Sequence, residues 1–469
     1  MKKIFCALLV FTAAFLYAEV TITGMIDMSI VPFQFIYDPD PYRNAVPNRD
    51  VPEPLEMVMG AGAGRISSGQ GPRARLDVRA SHEDVIGMRM RIQARTDGIG
   101  IEDYLQVWWR PQPWMRVDAG RFFDDRLRGK INDLDERMNA YTVRMYDADA
   151  IFTRFRTHWS GQAGLMLSFT PPAQENLWFG VLMYDLNPFD TAGAAGSMYD
   201  AHPDYVTDNA DVFKRIQVAA AYTIDGIGLA RVQYFGAKPG VEIIRITDEW
   251  LDDSNTPFHS YLFDTFSITA PRIEAAFAFT GFPNLTLDIG GKWPLPFKNW
   301  DRGPLNIFEK NDETLLDPIY LSYKRGFVWQ APYQLSLGLK YKLDSLELAG
   351  RADAHFLGSM KGHSIDVFFA PMLNIHVWPS YEFSFGRLIF NFGYEWIGAA
   401  YDRNGELIGK DSPVALNGGH RMGTGLSIHR NITGNSFVKG GIACKLPGVV
   451  NGVQEKMVFS IPLCLEFVF

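Results

Sequence analysis

The chain has 469 residues, 45 Lys and Arg against 53 Asp and Glu, a formal net charge of −8 and 47% hydrophobic residues. The acidic balance argues against a nucleic-acid binder. Past the N-terminus there is no apolar run long enough for a membrane helix, about 18 residues, so a helical membrane protein is not the expected class. A mean hydropathy of −0.07, 14% aromatic residues and 43 glycines point instead to a β-rich chain with many turns.

Residues 1–18 read as a secretory signal: Lys2 and Lys3 precede an apolar stretch that ends at Leu16–Tyr17–Ala18, a small-residue site suited to cleavage. The mature chain, 19–469, is expected to be one domain starting at Glu19. The competing reading is an uncleaved helical anchor. Cys6 leaves with the signal, so Cys444 and Cys464 remain. They fall on neighbouring predicted strands several residues out of register. A disulfide needs Cα atoms within about 7 Å, so two free thiols are expected.

From residue 73 the chain alternates. Successive side chains of a strand point to opposite faces, and residues 73–80 put Ala74, Leu76, Val78 and Ala80 on one face and Arg73, Arg75, Asp77 and Arg79 on the other. Residues 88–95 repeat the split, with Arg89, Arg91 and Arg95 on the polar face. Taken along the chain, a single strand at 20–36 is followed by eight hairpin pairs: 73–83 with 87–95, 102–110 with 114–123, 163–170 with 177–185, 215–224 with 228–237, 272–280 with 286–293, 332–343 with 345–356, 369–378 with 385–396, and 421–429 with 436–445. A single strand, 456–469, closes the series. Connections within the pairs are short. Those between pairs include the long segments 37–72, 124–162, 186–214, 238–271 and 294–331. Short turns on one side and long loops on the other are the layout of a transmembrane barrel. The expected fold is all-β, an antiparallel up-and-down transmembrane barrel of about 18 strands, with both ends on the short-turn, periplasmic side. The connection 96–101 is short where an external loop is expected, so 16 strands is the alternative count.

The last strand states the membrane case most sharply. Met457, Phe459, Ile461, Leu463, Leu465, Phe467 and Phe469 share one face, which in water would be a severe exposed apolar patch. Its terminal aromatic, Phe469, resembles the signal that outer-membrane barrels present to their assembly machinery; a buried closing strand of a soluble barrel is the competing reading. Only closed barrels let strands cross a bilayer, so the polar faces line the interior, and about 16 to 18 strands leave an aqueous channel. Trp108, Trp109, Trp114, Trp178 and Trp378 lie near predicted strand ends on the short-turn side, where aromatic girdles sit. Parity sends Trp109 to lipid and Trp108 and Trp114 to the lumen.

Arg73, Arg75, Asp77, Arg79, Arg89, Arg91, Arg95 and Arg116 are the candidate pore-lining residues. Two roles compete for the arginines: a positive ladder that guides anions, or a brace paired with carboxylates on inward loops. The segment after Phe123 supplies such carboxylates. Its charged residues Asp124, Asp125, Arg126, Arg128, Lys130, Asp133, Asp135 and Glu136 make it a candidate constriction loop. Enzymatic motifs are weak. The glycine-rich run at 60–64 lacks the lysine of a phosphate-binding loop, no paired-cysteine zinc motif occurs, and His82–Glu83–Asp84 reads as a solvated turn. No catalytic residue, metal or cofactor is assigned.

The segment from Trp108 through Trp109–Arg110–Pro111 to Gly120–Arg121 resembles the strand–turn–strand of Gram-negative porins, in which an aromatic–basic–proline turn leads to a strand ending in Gly-Arg or Gly-Lys. With the signal and Phe469, it suggests the porin superfamily. The resemblance implies a 16- or 18-stranded barrel in the outer membrane, often a homotrimer, with an inward loop at mid-barrel and passive diffusion of small hydrophilic solutes. The expected partners are outer-membrane lipid, the barrel assembly machinery and those solutes. Two other readings stand beside it: a surface or adhesion barrel whose long loops bind partners, and a barrel-embedded enzyme.

Overall fold

A computed structural model of the chain describes residues 19–37, 55–61, 73–95, 98–124, 131, 155–156, 164–184, 216–235, 272–295, 297–298, 328–330, 333–356, 359–361, 366–368, 371–399, 401–402, 406–407, 417–433, 436–450, 453–454 and 456–469. The expected signal, 1–18, lies outside them. Eighteen strands follow one another: β1 (Glu19–Tyr37), β2 (Arg73–His82), β3 (Ile86–Arg95), β4 (Gly98–Gln112), β5 (Met115–Arg121), β6 (Gly164–Phe169), β7 (Leu177–Tyr184), β8 (Ile216–Ile224), β9 (Gly228–Phe235), β10 (Arg272–Phe279), β11 (Leu285–Pro294), β12 (Tyr333–Leu343), β13 (Leu346–Phe356), β14 (Met372–Val377, continued by Ser380–Phe383), β15 (Gly386–Ile397), β16 (Gly419–Thr433), β17 (Ser436–Val450) and β18 (Met457–Val468). Each pairs antiparallel with the next, and β18 pairs back onto β1, with Met25 opposite Val468 and Tyr37 opposite Met457. The sheet is therefore a closed 18-stranded barrel.

The strand count survives its weakest joint. Gly98 lies directly opposite Arg95, so only residues 96 and 97 separate the paired ends of β3 and β4. The periplasmic turns are tight for a chemical reason. Glu83 and Asp84 are consecutive residues with φ of 50° and 55°, as a type I′ hairpin requires. Asn284 and Asp344 hold the same left-handed region at two other turns, where their short polar side chains are tolerated.

Burial alternates as the sequence does. Along β12, Tyr333, Leu335, Leu337 and Leu339 are exposed while Gln334, Ser336 and Gly338 are buried. The outside of the barrel is a belt of exposed apolar residues, among them Ile26, Leu105, Phe179, Val232, Ile289, Leu337, Phe390 and Ile442. Aromatics collect at both rims of the belt: Trp109, Tyr222, Tyr341, Tyr381 and Phe385 toward the short turns, Phe35, Trp293, Tyr333, Phe356 and Trp396 toward the long connections. Hydrocarbon satisfies such a surface and water does not. The chain is a transmembrane barrel.

Above the belt the wall continues on one sector. Phe297–Lys298, Val328–Gln330, Ser359–Lys361, Asp366–Phe368 and Tyr401–Asp402 form a five-stranded antiparallel sheet from the external connections of β11 to β16. A further strand, Leu55–Ala61, pairs with the upper half of β1, where β2 has ended. The thiols behave as expected. Cys444 faces Phe459 and Cys464 faces Lys439, five residues out of register and on opposite faces of the wall, and both are free.

The seam is sealed at its last residue. Gly24 donates its N–H to the Phe469 carbonyl at 2.7 Å, and Phe469 donates back to the Gly24 carbonyl at 2.9 Å. The Phe469 ring lies across Gly24, where a Cβ would collide with it. Gly24→Val is expected to open this corner and lower the folded fraction several-fold. The check is the heat-dependent mobility shift of the purified barrel on a gel; an unchanged folded fraction would show that the ring contact is dispensable.

Candidate functional site

The lumen is built from the polar parity of eighteen strands, and its two halves differ. Toward the periplasm the charged side chains meet water: Arg79 is 55% exposed and Lys342 is 51% exposed. Toward the outside they are shut away, Asp288 being 1% exposed and Arg272, Glu274, Lys292, Gln334, Arg351, Asp353 and Arg421 all buried.

The predicted arginine strands do come together. Asp77 sits at the centre of them and accepts from two guanidinium groups, Arg89 Nη2 at 2.7 Å and Arg91 Nη2 at 2.8 Å. Arg75 donates to the Gln93 side-chain oxygen from the neighbouring strand. Arg116 binds Asp118 with Nη2 at 2.6 Å and Nε at 2.9 Å. Arg79 lies 3.8 Å from Asp84 in the periplasmic turn, and Arg110 reaches the same carboxylate at 2.7 Å. Arg73 is buried opposite Arg95 at the outer end. Among the described residues, the carboxylates that pair with these arginines are on the wall itself, in strands and a periplasmic turn. Aromatic faces share the task. Arg89 lies 3.6 Å and Arg91 4.7 Å from the Tyr104 ring centre, while Arg79 and Arg116 flank Trp108 at 5.3 and 5.0 Å. Both geometries are within cation–π reach.

Trp108 is buried on the lumen face as parity requires. Trp178 and Trp378 depart from the girdle expected of them and are buried on the lumen face as well. Trp114, expected in the lumen, is exposed at the turn and stacks on Phe169 at 6.3 Å. Only Trp109 lies on the lipid belt as parity requires. The lumen wall thus carries an apolar sector over β4 to β8, where Tyr104, Phe122, Met166, Trp178, Leu182 and Ala219 pack together.

Ile131 ties the segment after β5 to the opposite wall. It is buried against Ala349, Trp378 and Ile389, and it stands 3.1 Å from where a Cβ on Gly338 would be. Those four residues are on the lumen face of β12, β13, β14 and β15, and β13 is eight strands round from β5. Asp124 pairs with Phe155 in a short ladder just past β5. Asp125, Arg126, Arg128, Lys130, Asp133, Asp135 and Glu136 lie outside the described residues. The socket was missed in the sequence. The one cue was a lone isoleucine inside a charged run.

The rest of the wall is a lattice of buried ion pairs. Arg231 donates to Asp288. Glu274 accepts from Arg272 Nε at 2.6 Å and from the Gln233 amide at 2.5 Å, with Lys292 Nζ at 3.7 Å. Asp353 accepts from Arg351 Nε at 2.9 Å and from the Ser336 hydroxyl at 2.5 Å. Among the described residues, no group of three His, Cys, Asp or Glu could hold a metal ion.

No protein-family model matches the chain, and no curated protein matches it. Among solved structures it is similar to a loop-deletion mutant of OmpT, an outer membrane protein of Vibrio cholerae, at 10% identity over 96% of this chain and 100% of that one, with a TM-score of 0.41. It is also similar to OmpF of Salmonella typhi in complex with daunomycin, at 9% identity over 96% and 98% of the two chains and a TM-score of 0.41. A mutant Rh. blastica porin matches at 10% identity over 96% and 100%, with a TM-score of 0.33. At these values the reading of the site rests on the chain's own geometry.

Breaking a shut-away pair and breaking an exposed one should differ. Arg231→Ala takes the cation from a buried carboxylate and is expected to lower stability by about 3–5 kcal/mol. Arg79→Ala removes an exposed partner of Asp84 and is expected to cost less than about 1 kcal/mol. Urea midpoints of the two variants in detergent, followed by tryptophan fluorescence, make the comparison; equal shifts would remove the distinction between the two halves of the lumen.

Proposed function

We propose that the protein is an outer-membrane porin, exported by a cleaved signal, through which small hydrophilic solutes diffuse, with a preference for anions. The observation that carries the reading is the water-facing, predominantly basic lumen wall at the periplasmic end. Arg79, Arg89, Arg91, Arg110, Arg116, Lys340, Lys342 and Arg387 lie there against Asp77, Asp84, Asp118, Glu347 and Glu382. A barrel of about 18 strands is too wide for its own side chains to fill, and fixed cations around a narrow path favour anions. No chemistry is assigned to the lumen, so the reading is non-enzymatic. Ile131 in its socket supports an inward course for the segment that follows β5, and hence a narrowed passage. Assembly as a homotrimer, implied by the porin resemblance, belongs to the same proposal, as does insertion directed by Phe469.

Stepwise conductance in planar bilayers tests the reading, and a folded barrel that passes no current sinks it. Replacing Arg75, Arg89 and Arg91 with alanine should reduce the anion preference by roughly half or more, read from reversal potentials in a salt gradient. Deleting residues 131–139 should raise the single-channel conductance. An unchanged conductance removes the constriction.

A further inference from the structure

The water-facing arginines of β2 to β5 outnumber the acids that hold them. Arg89 and Arg91 share Asp77, Arg79 and Arg110 share Asp84, and Arg116 takes Asp118. In these pairs five cations rest on three carboxylates. Two guanidinium groups on one carboxylate repel each other. A long side chain also gains rotamer freedom by swinging away from the wall. Holding the surplus in place calls for a support that carries no negative charge.

β4 supplies it. Tyr104, Gln106 and Trp108 share its lumen face. The Tyr104 ring lies under both arginines of the Asp77 pair, with Arg89 3.6 Å and Arg91 4.7 Å from its centre. Trp108 is flanked by Arg79 of β2 at 5.3 Å and Arg116 of β5 at 5.0 Å. Its indole lies across Gly87 of β3, where a Cβ would collide with it. The rings are covered, Tyr104 being 8% and Trp108 3% exposed. The arginines on them meet water, Arg79 at 55%, Arg89 at 31%, Arg116 at 22% and Arg91 at 19% exposure. A ring face attracts a guanidinium within about 6 Å through its quadrupole and carries no net charge. A carboxylate holds an arginine and cancels its field; a ring holds it and leaves the field in place.

We propose that Tyr104 and Trp108 are positioning residues for anion selectivity, fixing Arg79, Arg89, Arg91 and Arg116 against the wall with their charge undiminished toward the lumen. The proposal rests on the pore reading and goes beyond it by assigning selectivity to two uncharged side chains that no solute need touch. Fixed cations along a passage favour anions according to where they are held as well as how many there are. Two walls with the same arginines therefore differ in preference when one lacks the rings.

Tyr104→Leu and Trp108→Leu keep every charge and remove a ring. Each should lower the anion-to-cation permeability ratio about twofold or more, read from reversal potentials in a salt gradient. Tyr104→Phe and Trp108→Phe keep a ring face and should stay near the parent ratio. Folding of each is confirmed by the gel mobility shift; if Trp108→Leu does not fold, the Tyr104 variants decide alone. A parent ratio retained by the leucine variants overturns the proposal. So does an equal loss in the leucine and phenylalanine variants, which would assign the effect to the Tyr104 hydroxyl or the indole rather than to a ring face. Phenylglyoxal labelling of Arg89 and Arg116, read by mass spectrometry, needs no current. It should be faster in the leucine variants than in the phenylalanine ones, and equal rates overturn the proposal. A parent barrel without anion preference that still shows the labelling difference would defeat the pore reading and leave the positioning intact.

Discussion

A strand in hydrocarbon has nowhere to send its backbone hydrogen bonds except to another strand, and that requirement fixes nearly everything else about this chain. The series cannot stop at β17, because the edge would be left open to lipid. It must run on until β18 can pair with β1, and it ends with Phe469 and Gly24 exchanging backbone hydrogen bonds. Closure at eighteen strands then sets the width, and the width creates an interior that eighteen inward faces cannot fill by themselves. The external connections, the ion-pair lattice and the apolar patches are different answers to the space that closure leaves.

Those answers are arranged by height. Near the periplasm side chains such as Arg79 and Lys342 keep their charges in water. Higher up, guanidinium and carboxylate groups such as Arg231 of β9 and Asp288 of β11 lock to one another across the intervening strand, where taking them from water is repaid only by close geometry. The aromatic faces of Tyr104 and Trp108 extend the same logic to arginines that outnumber the nearby acids.

Most of this fold was legible because one face had to be apolar and the other could not be. Residues 73–80 and 333–343 alternate so cleanly that strand ends, register and facing follow. The bracing of Arg91 by Asp77 was also within reach. The tight turn at Glu83–Asp84 sets the register that puts the two opposite one another. Parity fails where both faces are apolar. Residues 177–184 offer Leu177, Phe179 and Val181 on one side and Trp178 and Leu182 on the other, and only the folded barrel shows which set looks inward. The Ile131 socket depends on contact across the barrel, which no local pattern encodes.

The described wall is uneven in height. Over β11 to β16 the five-stranded sheet carries it beyond the belt. The ladder of β3 and β4 runs up to Arg95 opposite Gly98, so those two strands end together. Among the described residues the low side therefore stands over the strand that carries Arg89 and Arg91, and the high side over the socket that holds Ile131.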